Sequence, residues 1–115
     1  MAAIFSDHMI AGATFEKMAL SFPNTGQKPH FERVGFNVIG RRMFATYLAK
    51  DNTANIFLTP KEQAVFCKMD PENIYPVPNK WGEGGATTFN LNKVAKEFVQ
   101  EALLSAHNEV IKKKK

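Results

Sequence analysis

The segment from Val34 to Leu48 constrains the fold more than any other part of the chain. Val34, Phe36 and Val38 alternate with Gly35 and Asn37, and Phe44, Thr46 and Leu48 alternate with Ala45 and Tyr47. A period of two sends successive side chains to opposite faces of a strand, so each run reads as a strand with one buried face. Gly40 and Arg41 lie between the runs and make the pair a β-hairpin. Asp51 and Asn52 supply a second turn and ANIFLT a third strand, which completes an antiparallel meander. The apolar face of such a meander needs a second layer to cover it.

Three segments offer that layer. In ATFEKMALSF, Ala13 to Phe22, the residues Phe15, Met18, Ala19 and Phe22 recur at helical spacing, with Thr14 as N-cap and Pro23 beyond the end. TPKEQAVFCKM carries the sharpest start signal: Thr59 as N-cap, Pro60 at N1 and Glu62 at N3 of a capping box, with the helix running to about Met69. The last segment places Val94, Phe98, Ala102, Leu103, Ala106 and Val110 on one stripe, from an Asn92 N-cap to about Ile111. PNTGQKP reads as a loop. NIYPVPNKWGEGGATTFNL reads as one or two short strands interrupted by Pro76, Pro78 and glycines. The expected order is α-β-β-β-α-β-β-α, an α+β fold. Helices cover one sheet face, and Tyr47, Asn37, Met43 and Asn55 line the other.

At 115 residues the chain is read as one domain, with residues 1–13 as an N-terminal extension and residues 112–115 as a basic tail. The net charge of +4 equals the tail's four lysines, leaving 11 Lys and Arg against 11 Asp and Glu. A phosphate-binding surface on the body must therefore come from clustering of cations, not from their excess. No apolar run approaches the ~20 residues a membrane-spanning helix needs. The start has no basic n-region, and the single cysteine, Cys67, excludes an intrachain disulfide. The expected location is the cytoplasm.

The stretch NKWGEGGATTF holds the only tryptophan, Trp81. It lacks the Lys-Ser/Thr of a phosphate loop, and no long helix follows as in a dinucleotide fingerprint. It reads as a tight turn in which Trp81 anchors the loop against the core and Lys80 reaches outward. Cys67 reads as a small hydrophobe, and Ser21 and Ser105 lack a nucleophile-elbow context. His8, His30 and His107 show no metal-binding spacing. His107 is expected in solvent, and His30, near Glu32 and Arg33, is either a structural histidine or a base. No enzymatic activity, metal or cofactor is expected. Arg33, Arg41, Arg42 and Lys80 fall on turns, where they are either solvated or contact phosphates, with Trp81 or Tyr47 as an aromatic neighbour.

Several blocks occur together in a telling order: Pro29-His30-Phe31 with Arg33, GFNVIGRRMFAT, LTPKEQ, YPVP, and Trp81-Gly82 followed by Gly85 and Thr87. In these the chain resembles the MmcQ/YjbR family of small bacterial proteins, over about Thr14 to Ile111. It departs at Ala86, where many relatives carry an aromatic residue. The resemblance implies an α+β fold of frataxin-like topology and a double-wing arrangement that binds DNA. Such binding would be non-specific and salt-sensitive, through Arg33, Arg41, Arg42 and Lys80, with Trp81 supporting or stacking. A frataxin-type metal site depends on an acidic helix surface, and TFEKMALSF carries only Glu16. Two alternatives stand beside DNA binding. One is a protein-interaction module or homodimer built on the sheet face with Tyr47 and Met43. The other is a small-ligand site around His30, Glu32 and Trp81, in which Gly82, Gly85 and Thr87 serve either the ligand or the turn.

Overall fold

The computed structural model describes residues 9–112. His8, the first eight residues of the expected extension and Lys113 to Lys115 lie outside them. The elements are α1 (Gly12–Leu20), β1 (Thr25–His30), β2 (Arg33–Val38), β3 (Met43–Leu48), β4 (Thr53–Phe57), α2 (Pro60–Met69), β5 (Ile74–Pro76), α3 (Lys80–Glu83), β6 (Ala86–Asn90) and α4 (Lys96–Lys112). The strands form one 6-stranded sheet in the order β1-β2-β3-β4-β6-β5, and every pairing is antiparallel. The α+β class and the meander follow the sequence reading.

Register decides which side chains share a face. One row runs Val34, Tyr47, Ala54, Phe89, Ile74, and the next Phe36, Ala45, Ile56, Thr87. Both rows are largely buried, and α1 and α4 pack on them, with Phe15 of α1 meeting Phe36 edge-on. The intervening row, Gly35, Thr46, Asn55, Thr88 and Tyr75, faces the other way. Its Thr88 hydroxyl donates to Asn55 Oδ1 at 2.8 Å. This is the open face.

The hairpin departs from simple alternation at one point. Phe36 faces Ala45 but Asn37 faces Met43, so Phe44 is the extra residue of a β-bulge. The bulge lets Phe44 and Ala45 both enter the core, and Phe44 meets Phe22 and His107 there. Tyr47 consequently lies on the helix side, stacked on Phe15, with its hydroxyl donating to Asn52 Oδ1 at 2.7 Å. It does not line the open face as expected. Burial raises the Tyr47 pKa above the ordinary phenol value, and the nearby Glu16 and Asp51 charges add to the shift.

The capping box on α2 is present in full: Thr59 Oγ1 accepts from the Glu62 amide, and Glu62 accepts from the Thr59 amide. The other two expected caps are not used. Helix α1 starts from Ala11, with Thr14 already inside it and no side-chain cap. The entering chain is fixed instead by the Ile10 amide bonding to the Leu91 carbonyl and by Asn52 Nδ2 bonding to the Ile10 carbonyl. Ile10 is a core residue, so part of the expected extension belongs to the domain. Asn92 lies four residues before α4. Its amide group donates to the Asp51 carbonyl and to Asn90 Oδ1, in a turn that buries Leu91 and Val94.

His107 is buried and not solvated: its ring stacks on Phe22 with centroids 4.7 Å apart, and its Nε2 finds no hydrogen-bond partner among the described residues. Cys67 is half-buried, packs against the core, and has its pKa raised by that burial, which disfavours the nucleophilic thiolate.

Candidate functional site

The loop read as PNTGQKP contains most of β1, an edge strand paired with β2 from Thr25↔Val38 to His30↔Arg33. Edge position explains how Lys28 and Pro29 fit there, since only one side of the strand must hydrogen-bond. Phe31 and Glu32 form the two-residue turn joining β1 to β2. Phe31 has φ 62°, and its ring is 93% exposed.

NKWGEGG is a single helical turn and not a bare loop. Asn79 Oδ1 accepts from the Trp81 amide at 2.8 Å and starts α3. Gln63 of α2 donates to the Gly82 and Ala86 carbonyls, which ties the turn down. The glycines explain its position. A Cβ on Gly82 would lie 1.7 Å from the Val77 carbonyl oxygen, and one on Gly85 would lie 1.8 Å from that of Leu58. The Thr87 hydroxyl is fully buried and donates to the Gly85 carbonyl. Gly82, Gly85 and Thr87 therefore serve the turn. Trp81, expected as an anchor in the core, is 72% exposed. The backbone holds this turn in place, and the indole is left on the surface.

Between these two turns lies a groove on the open face. Two adjoining hollows of about 440 and 400 Å³ share Met43, Phe57, Trp81 and Ala86. Arg42, Leu58, Lys80 and Gly84 complete the first; His30, Phe31, Arg33, Thr46, Asn55 and Val77 complete the second. Arg33 Nη1 donates to Thr46 Oγ1 at 3.2 Å, which holds the guanidinium over the strands. Among the described residues the lining carries three permanent cations, Arg33, Arg42 and Lys80, and no carboxylate.

Of the residues singled out in the sequence, Arg33, Arg42, Lys80, Trp81 and His30 meet along this groove, as do Met43 and Asn55. Glu32 does not line it. Arg41 is also elsewhere: its Nη1 donates to the Val110 carbonyl at 3.4 Å, docking the hairpin tip on the end of α4. Phe31 and Phe57 line the groove without a signal of their own in the sequence reading: alternation along β4 sets Phe57 opposite the core residue Ile56, whereas Phe31 is found only once β1 is known to be a strand.

Among the described residues no cluster of three His, Cys, Asp or Glu could hold a metal ion. None of their helices is long and apolar enough to cross a membrane. No family model and no curated protein matches the chain. A solved Deinococcus radiodurans protein with a DUF419 domain is similar in structure. It superposes with a TM-score of 0.76 at 18% identity, over 93% of this chain and 81% of that one. At this identity the likeness shows the α+β fold.

Proposed function

We propose that the protein binds DNA along the open face of its sheet, in the groove between the Phe31 and Trp81 turns. The observation that carries this reading is the clustering of Arg33, Arg42 and Lys80 around a concave surface with no carboxylate among the described residues of its lining. A body with balanced charge attracts polyanions poorly as a whole, but the local field over such a groove is positive. Phosphates fix position through these cations, and the aromatic rings meet the bases. The MmcQ/YjbR resemblance supports the same activity, although the double-wing form of it changes: Arg41 is committed to α4, and the sheet face between the turns is the binding surface.

The tail must be separated from the groove. With Lys112 to Lys115 changed to glutamine, a labelled oligonucleotide should still bind. Three phosphate contacts give a log–log salt slope of about −2 to −3. Complete loss of binding in that variant would mean that the tail alone attracts DNA.

A small-ligand reading is favoured by one observation, the 400 Å³ hollow that brings His30 and Trp81 together. On that reading a mononucleotide saturates the groove, and a strand of several nucleotides binds no more tightly.

A further inference from the structure

We infer that the groove selects single-stranded over duplex DNA, with Phe31 and Trp81 as stacking platforms for unpaired bases; this rests on the nucleic-acid reading above.

In the two-residue turn between β1 and β2, Phe31 has positive φ and Glu32 does not. A positive φ in a two-residue hairpin turn favours glycine. A bulky residue there is an outlier, since Cβ crowds the backbone in the left-handed region. Burial does not repay the strain, because the ring is 93% exposed. Among the described residues its ring contact is edge-on to His30, with centroids 5.0 Å apart. The turn thus holds an aromatic ring in solvent where glycine would be more comfortable.

Trp81 is the second such ring. Asn79 fixes its backbone from one side and the close Gly82–Val77 approach from the other, while the indole stays 72% exposed. Both rings line the same hollow as Arg33. In a duplex the bases already stack on one another and offer these rings nothing. A single strand can splay its bases onto aromatic faces while cations follow its phosphates.

The test titrates the full chain with a single-stranded oligonucleotide and with the same sequence as duplex, following quenching of the only tryptophan and anisotropy of a labelled strand. The single strand should bind at least about ten-fold more tightly and quench Trp81. Phe31→Gly should keep or raise the unfolding midpoint yet weaken single-strand binding roughly 5- to 150-fold, with the salt slope unchanged. Trp81→Ala should weaken it similarly, read by anisotropy. Equal affinity for both forms, or wild-type single-strand affinity in both variants, would overturn the stacking inference and leave the nucleic-acid reading standing. Absence of binding to either form would overturn both.

Discussion

Replacing Gly85 by alanine should cost about 4 kcal/mol or more, enough to unfold much of the population of a marginally stable domain. Two penalties combine. The position has φ +117°, which L side chains rarely adopt and which costs about 1–3 kcal/mol. The new Cβ would also sit 1.8 Å from the Leu58 carbonyl oxygen. That atom is backbone, so no rotamer change relieves the clash. Leu58 cannot retreat without loosening its own amide bond to the Gly85 carbonyl, at 3.2 Å, where β4 hands over to α2. At about 4–8 °C per kcal/mol for a domain near this size, the melting temperature should fall by at least about 16 °C. Gly40→Ala is the matched control. Its φ is +83° with nothing within 4 Å, so only the conformational cost of about 1–2 kcal/mol remains. Thermal melts followed by circular dichroism compare the two. Equal effects would show that close packing at Gly85 is unimportant, and with it the explanation of why the Trp81 turn stands where it does.

The second large effect is on binding. Changing Arg33, Arg42 and Lys80 together to glutamine, in the chain whose tail lysines are already glutamine, should flatten the salt dependence to near zero. At about 50 mM salt it should weaken DNA binding at least ~100-fold. Arg42 and Lys80 are exposed, and Arg33 is half-buried and bonds to the Thr46 hydroxyl. Stability should therefore change by no more than about 1 kcal/mol. Arg41→Gln provides the contrast. It removes the bond to the Val110 carbonyl, so it should lower stability slightly and leave affinity within about two-fold. A salt slope that survives the triple change would place the phosphate contacts outside the groove.

Much of the fold is legible because local chemistry and tertiary structure agree. Thr59, Pro60 and Glu62 specify a helix start that needs no tertiary help, and α2 begins there. The Val34–Leu48 alternation specifies a hairpin. It does not specify the bulge at Phe44, since one extra residue shifts alternation without any marker in composition. Simple alternation therefore puts Tyr47 on the open face, whereas the bulge turns it to the helix side. Strand β1 is illegible for a different reason: an edge strand whose residues are all exposed or half-buried carries no apolar period. Losing β1 also hid the turn at Phe31, and so half of the site. At Trp81 a large apolar ring suggested the core. The decisive signals were the glycines at 82 and 85, whose missing Cβ atoms let the backbone turn do the anchoring. The cations were legible as candidates one by one. Which of them converge depends on how the turn between β2 and β3 folds, which places Arg42 on the groove and Arg41 against α4.

Whether DNA occupies the groove on the open sheet face can be read by amide chemical-shift mapping of the labelled full chain with a single-stranded oligonucleotide. Saturable shifts are expected at His30 to Arg33, Arg42 and Met43, Asn55 to Phe57, and Lys80 to Gly84, with α1 and the exposed side of α2 unaffected. Shifts confined to the lysine tail, or centred on the helices that cover the other face, would contradict occupancy of the groove.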